Sequence, residues 1–174
     1  MTVIQYALDM LDALKEMRRV LKSDGRAIIV VGKESSIRSI HFRNGLIVAL
    51  LAVGGAGFQL ERKQERKFRN KFGELIYEDI LHFLPSPHAS QSSDAFAREV
   101  AVWCLKDALR YADGSIRREI LDAVGSTTIV AKSSLFDRGI SKYKKVELSE
   151  SMRRLVVKER GYFMIEFPKP HIEN

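Results

Sequence analysis

The stretch ALKEMRRVLKSDGRAIIVVG, residues 13–32, decides the fold class of this chain. Its first half belongs to a basic amphipathic helix that we expect to begin near Val3, because apolar residues recur there at steps of three and four. Ser-Asp-Gly at residues 23–25 predicts a tight turn in which Gly25 adopts a positive φ. AIIVV at residues 27–31 then predicts a strand buried on both faces, as in a parallel sheet. This is half of an α/β crossover, a unit shared by many α/β proteins. The expected apolar stripe of the helix comprises Val3, Ala7, Met10, Leu14, Met17 and Leu21.

The composition is that of a globular protein in a reducing compartment. The chain has 174 residues, of which 45% are hydrophobic and 29% are charged, as in ordinary soluble domains. Cys104 is its single cysteine, which excludes an intrachain disulfide and predicts a cytoplasmic location. The longest apolar run, residues 46–58, is too short and too glycine-rich to span a bilayer. Charges from Asp9 onward interrupt any signal-peptide core, so we expect no membrane association.

The charge of the chain favours a polyanionic partner such as DNA. The net charge is +7 and the isoelectric point is about 9.6. Basic residues concentrate at residues 61–72, where Phe68 and Phe72 are interleaved with them. Cations neutralise phosphates and exposed rings stack on bases, but a solvated hairpin with both rings turned inward explains the pattern as well. The candidate nucleic-acid-binding residues are Arg62, Lys63, Arg66, Lys67, Arg69 and Lys71.

A polar segment follows the predicted strand at residues 27–31. Ligands of open α/β sheets lie outside the carboxyl ends of the strands, so Gly32, Ser35 and Ser36 are candidates for the lip of a pocket. A solvated connector explains the segment equally well. Residues 42–56 then predict a helix that is apolar nearly all round and therefore buried. The glycines that end it do not follow a strand, so they predict a helix stop and not a phosphate-binding loop.

The rest of the chain predicts a hairpin, a linker and a mostly helical extension. Strands are expected at residues 58–66 and 75–84, joined by a short turn. Prolines and serines at residues 85–92 predict a linker between an α/β domain at residues 1–84 and the extension at residues 93–174. Within the extension we expect helices at residues 93–109, 116–124 and 148–159, an extended piece at 127–131 and a terminal strand at 162–167.

Three segments together resemble one enzyme family. They are YALDMLDALKEMRRVLKSDGRAIIVVG from residue 6, IRSIHFRNGLIVALLAVGGAGFQLERK from residue 37 and NKFGELIYEDILHF from residue 70. Together they resemble the C-terminal half of S-adenosylmethionine-dependent DNA amino-methyltransferases of the restriction–modification type, which methylate N4 of cytosine or N6 of adenine. The assignment to DNA depends mainly on residues 73–83. A tRNA guanine amino-methyltransferase of similar fold would look much alike.

The resemblance implies a partial Rossmann-like methyltransferase sheet. The family sheet has seven strands, and residues 27–31, 58–66 and 77–84 correspond to the fifth, sixth and seventh. The first four strands normally carry a glycine-rich cofactor loop and an Asp-Pro-Pro-Tyr type motif that grips the target amine. Neither occurs here, and none of the four prolines is adjacent to another. We therefore expect no catalytic residue in this chain, no activity of the chain alone, and S-adenosylmethionine binding only with the missing half.

Without a fourth strand, residues 27–31 would leave an unpaired apolar edge. The expected cover is an N-terminal methyltransferase half on another chain or a second copy of this chain, and the predicted terminal strand is a third candidate. The alternative function is a non-catalytic, nucleic-acid-binding or self-associating module derived from the methyltransferase fold. The four histidines lie far apart, without acidic or cysteine partners at metal spacing, so no metal site is predicted.

Overall fold

The computed structural model describes residues 2–87, 92–133, 156–159 and 162–165. The chain divides into two compact units, Met1–Ser133 and Ser134–Asn174. The first unit is a mixed α/β structure, as the sequence predicts. In chain order its elements are α1 (Thr2–Val20), β1 (Ala27–Gly32), β2 (Ser35–Ile37), β3 (Ile40–Phe42), α2 (Asn44–Gly55), β4 (Phe58–Arg69), β5 (Leu75–Pro85), α3 (Asp94–Ala108), a 3-10 turn (Leu109–Tyr111) and α4 (Gly114–Gly125).

Helix α1 confirms the predicted amphipathic helix, but its buried face differs from the predicted stripe. Leu8 and Leu11 are fully buried, whereas Met17 is exposed. Gly25 does not have the predicted positive φ. The absence of a side chain instead leaves room for Leu21, because a Cβ would lie 2.8 Å from Cδ1 of Leu21. The buried residues of α1 are Val3, Ile4, Ala7, Leu8, Leu11 and Leu14.

The three-stranded sheet has the order β1-β5-β4. Both pairings are antiparallel, so β1 and β4 run in the same direction on either side of β5. The predicted hairpin of the last two strands is confirmed as β4 and β5, and β4 continues to Arg69. A register shift between Leu60 and Arg62 bends β4 near its start.

Strand β1 is buried on one face only, so the prediction of burial on both faces is wrong. Ile28 and Val30 are 56% and 47% exposed, while Ile29 and Val31 pack against the core. Among the described strands, β1 has no parallel neighbour either, because the strand paired with it is antiparallel. The composition of AIIVV indicates an apolar strand, but it does not show whether both faces find a covering layer within one chain.

The polar segment after β1 forms the hairpin β2–β3, in which Ile37 lies opposite Ile40. Arg38 and Ser39 form the turn with φ values of 50° and 66°. This left-handed conformation is uncommon for residues other than glycine, although two-residue hairpin turns favour it. On β3, Ile40 and Phe42 point into the core.

Helices α2 and α3 complete the core of the first unit. Helix α2 is buried as predicted and ends at Gly55, which confirms the helix stop. A Cβ at Gly54 would lie 3.0 Å from Cε1 of Phe96, so the absence of a side chain lets α3 approach. Since α3 packs on α1 and α2, the predicted linker at residues 85–92 connects parts of one unit, and the unit boundary lies after Ser133.

The helical extension agrees with prediction only in part. Helices α3 and α4 are confirmed, but residues 127–129 form a turn and not an extended piece. In the second unit, β6 (Val156–Glu159) pairs antiparallel with β7 (Tyr162–Ile165). The predicted terminal strand is thus confirmed over residues 162–165, and the helix predicted at 148–159 is wrong at its end, where β-branched residues favour a strand. Residues 148–155 and 166–167 lie outside the described residues.

None of the helices in the described ranges has the length and hydrophobicity that a membrane span requires.

Candidate functional site

An open cleft of about 460 Å³ lies at the carboxyl end of β1. Gly32 and Ser36, two of the three predicted lip residues, line it. Ser35 lies on the other side of β2, because successive residues of a strand point to opposite faces, and it lines a separate cavity. The other residues around the open cleft are Lys33, Glu34, His41, Leu75, Ile76 and Tyr77.

The charges around the open cleft are paired with each other. The Lys33 ammonium donates a hydrogen bond to the Glu65 carboxylate, which raises the pKa of Lys33 and lowers the pKa of Glu65. Lys33 Nζ also lies 5.8 Å from the centroid of the Tyr77 ring. His41 Nδ1 is 3.4 Å from an oxygen of Glu34. Ser36 lies opposite His41 across the β2–β3 hairpin, but the two side chains form no hydrogen bond in the described structure. The arrangement can bind a polar ligand.

Asn44, the first residue of α2, fixes the turn between β1 and β2. Its side-chain amide donates to the backbone oxygen of Gly32 at 3.1 Å and to Oγ of Ser35 at 2.7 Å. Its backbone N–H donates to the backbone oxygen of Lys33 at 3.2 Å. Asn44 was not predictable as a site residue from the sequence, because its hydrogen bonds form only where α2 lies beside the turn.

The six candidate cations of the β4 region do not form one surface. Because side chains alternate along a strand, Arg62 and Arg66 lie on one face of the sheet. The opposite face carries Lys63, Lys67 and Arg69. Lys71 lies in the turn between the strands.

Three of these cations are already engaged within the first unit. Lys63 Nζ is 2.8 Å from Oδ2 of Asp79, and Arg66 pairs with Glu78. Arg69 donates to the backbone oxygen of Gly73. Arg62, Lys67 and Lys71 form no ion pair with any residue in the described ranges, so they are the cations best placed to meet phosphates.

The two long strands continue past β1 as a two-stranded ribbon. Strand β1 ends opposite Glu78, so the last pairs of β4 and β5 lack a third strand. We call residues 67–77 the ribbon tip. Phe72 is 75% exposed there, and Phe68, Leu75 and Tyr77 are also exposed. The interpretation in which both phenylalanines turn inward is therefore wrong, because no core lies beneath the ribbon tip.

Strand β1 is an edge strand within the described structure. It pairs with β5 on one side, and no described strand pairs with its other side. The exposed side chains of Ile28 and Val30 lie next to that free edge. An apolar strand with unpaired backbone groups is a ready template for pairing with another strand. The free edge expected from the sequence is thus present in the first unit.

Two buried polar residues on β5 were not selected by the sequence analysis. Asp79 is 2% exposed and pairs with Lys63, but its Oδ1 has no hydrogen-bond partner. His82 is 6% exposed and its Nε2 lies 2.8 Å from Oε1 of Gln64, while its Nδ1 has no partner. The sequence could have indicated both residues, because each is a polar residue within an otherwise apolar strand.

The described residues offer neither a metal cluster nor a reactive thiol. No group of three or more His, Cys, Asp or Glu side chains within them could hold a metal ion. Cys104 is buried in α3, and this burial raises the pKa of its thiol to about 11. The thiol therefore stays protonated at neutral pH and is a poor nucleophile.

No protein-family model matches this sequence. No curated protein and no solved structure matches it either. The fold and the site geometry therefore define the chain as a mixed α/β protein with a free sheet edge and a projecting basic ribbon.

Proposed function

We propose that this chain supplies the C-terminal part of an S-adenosylmethionine-dependent DNA amino-methyltransferase, and that another chain supplies the N-terminal half. The proposal starts from the sequence resemblance over residues 6–83. The observation that carries it is the end of the sheet at the free edge of β1. In the assignment made from the resemblance, β1 is the fifth strand and β5 the seventh. Because β5 occupies one side of β1, the free edge is the side where a fourth strand would pair.

The glycine-rich end of α2 does not fit a cofactor loop, so cofactor binding is assigned to the other half. Gly54 and Gly55 end α2, and the positions of their absent Cβ atoms are filled by Phe96 and Leu11. These glycines therefore serve helix packing and do not cradle a ligand. The role assigned to this chain is to complete the sheet and to contact the nucleic acid, through the lip at Gly32 and Ser36 and through the ribbon tip.

Calorimetry with S-adenosylmethionine and a methyl-transfer assay on DNA test this proposal. The chain alone is expected to bind no cofactor and to transfer no methyl group. The N-terminal half is sought in an adjacent reading frame that encodes a glycine-rich cofactor loop and an Asp-Pro-Pro-Tyr type motif. Co-expression with it is expected to give a stable complex that binds the cofactor and methylates DNA. Methyl transfer by the chain alone would contradict the proposal, and so would a half that neither binds nor restores activity.

The ribbon tip favours a second candidate function, a non-catalytic module that binds nucleic acid. Phe72 is largely exposed, and the ammonium of Lys71 lies 4.9 Å from its ring centroid. Lys67 is the other unpaired cation of the ribbon tip. Exposed rings between cations are how sequence-tolerant single-strand binders hold bases and phosphates, and a two-stranded ribbon also fits the major groove of a duplex.

Replacing Phe72 with alanine is expected to weaken single-stranded DNA binding by about 1–3 kcal/mol, because one stacked base loses its platform. Fluorescence anisotropy with a labelled oligonucleotide measures the effect at low and moderate salt. The matched control is Tyr111→Ala, since Tyr111 is an aromatic residue that is also 75% exposed but lies away from the ribbon. Wild-type binding should weaken steeply with salt. An affinity that does not depend on salt, or that decreases equally in both variants, would contradict this candidate function.

A further inference from the structure

A half-open cavity of about 310 Å³ lies beneath the β2–β3 hairpin, on the other side of β2 from the open cleft. It is built within the first unit, from the start of α1, the hairpin and the start of α2. We call it the hairpin cavity. Its lining residues are Val3, Tyr6, Ser35, Ile37, Phe42, Asn44 and Ile47.

The lining of the hairpin cavity is apolar apart from three neutral groups. These are the hydroxyls of Tyr6 and Ser35 and the side-chain amide of Asn44. None of the described lining side chains carries a charge, and burial raises the pKa of Tyr6, so its hydroxyl stays protonated. A charged ligand would find no counter-ion here and would lose its hydration. The cavity therefore selects a neutral, mostly apolar molecule.

The polar groups present a hydrogen-bond acceptor beside a donor. Asn44 donates both of its amide hydrogens, to the backbone oxygen of Gly32 and to Oγ of Ser35, and its Oδ1 has no donor among the described residues. Ser35 accepts from Asn44, which leaves its own O–H free to donate. A complementary ligand carries a donor for Oδ1 next to an acceptor for the Ser35 hydroxyl.

The size and walls of the cavity suit a planar ring. Ligand pockets for small molecules begin at about 300 Å³ and combine apolar walls with a few placed polar groups. Three residues line both the hairpin cavity and a smaller neighbouring cavity of about 100 Å³, namely Val3, Ile37 and Phe42. The two spaces therefore share part of their walls.

The tip of the β2–β3 hairpin contacts helix α4. Arg38 Nη1 lies 2.7 Å from Oε1 of Glu119 on α4. Arg38 and Ser39 both have positive φ, a conformation that costs free energy in residues other than glycine. This exposed ion pair joins the tip to the helix, and such pairs contribute little to stability.

We propose that the hairpin cavity binds a neutral planar ring that carries a hydrogen-bond donor next to an acceptor, as in an aromatic carboxamide or an amino-substituted pyrimidine or purine. Apolar side chains flank the ring, and its polar edge contacts Asn44 and Ser35. The site is independent of the methyl-transfer proposal, because every group that forms it belongs to this chain.

Ligand-observed NMR and calorimetry with benzamide, adenine and toluene test the site. Benzamide or adenine is expected to bind with a Kd of about 1 mM or tighter, and the stronger of the two identifies the ligand class. Toluene lacks the polar edge and is expected to bind at least about fivefold more weakly, the loss typical of one or more hydrogen bonds. Binding of toluene as tight as that of benzamide and adenine, or binding of none of the three, would overturn the proposal.

Two conservative variants locate the binding. Ser35→Ala is expected to weaken binding of the preferred ligand about fivefold to tenfold, because it removes the donor. Ser23→Ala removes the same hydroxyl from an exposed residue after α1 that lines neither cavity, so it should leave Kd unchanged. If Ser35→Ala disturbs the turn that Asn44 fixes, Ile47→Met changes the apolar wall without touching the hydroxyls and should also alter Kd. Equal affinities in all variants would place the ligand elsewhere and overturn the assignment.

Discussion

Replacing Gly45 with alanine is expected to lower the free energy of unfolding by about 2–3 kcal/mol, the upper range for overpacking a well-packed site. Gly45 is the second residue of α2 and is buried against Asp79. A Cβ there would overlap Oδ2 of Asp79 and would lie 2.8 Å from its Cγ. The carboxylate has no room to retreat, because Asp79 is 2% exposed and its Oδ2 pairs with Lys63.

Urea unfolding at neutral pH measures the effect of Gly45→Ala, with Gly125→Ala as the matched control. Gly125 ends α4, and nothing lies within 4 Å of a Cβ built there. Alanine at that position is expected to be neutral or to stabilise by about 0.4–1 kcal/mol, through the unfolded chain. Equal stability of Gly45→Ala and wild type would show that α2 shifts freely against β5.

A double variant separates the contact with Asp79 from a general effect on α2. If the overlap with the carboxylate is the cause, Gly45→Ala together with Asp79→Ala should cost clearly less than the sum of the two single changes. Additive losses would place the strain elsewhere in the first turn of α2. The carboxylate also lies next to the N-terminus of α2, where the helix dipole favours negative charge, so Asp79→Ala is expected to destabilise on its own.

Local features of the structure were predictable from the sequence because their causes are local. The spacing of apolar residues predicted α1, and the glycines after residue 53 predicted the end of α2. The turn residues between β4 and β5 predicted the hairpin. In each case neighbours in the sequence set the periodicity or the backbone conformation.

Features that depend on distant neighbours were not predictable in the same way. Which face of β1 remains exposed depends on the helices and strands that pack against it. The sequence AIIVV is equally compatible with a strand covered on one face and a strand covered on both. The burial of Asp79 depends on Gly45, which lies far from it in sequence and leaves room for the carboxylate. Likewise, Ser35 and Ser36 were predicted together as a lip, but the pleat of β2 separates them into two cavities.

Replacing Val30 with lysine is expected to weaken any association through the free edge of β1 on the order of 100-fold, the scale of a central interface residue. Val30 is 47% exposed and lies beside the unpaired backbone groups of the edge strand. A covering strand and the layer above it would bury the lysine ammonium without a partner, which is costly. Lysine on an edge strand also opposes strand pairing directly.

The fold of the first unit should survive Val30→Lys, because the side chain points away from the core. Sedimentation velocity measures self-association of the chain and complex formation with an N-terminal methyltransferase half. The matched control is Leu121→Lys, since Leu121 is 50% exposed on α4 and lies in a different element. Unchanged association of Val30→Lys, with unchanged association of the control, would show that partners use another surface.

Competition for β1 distinguishes the two partners considered for the free edge. One edge strand can pair with only one further strand on its free side, so a second copy of the chain and an N-terminal half must compete for β1. Addition of the half is therefore expected to convert a self-associated wild-type chain into the mixed complex, and Val30→Lys is expected to prevent both states. A half that binds the self-associated chain without dissociating it would assign the free edge to the second copy and the half to a different surface.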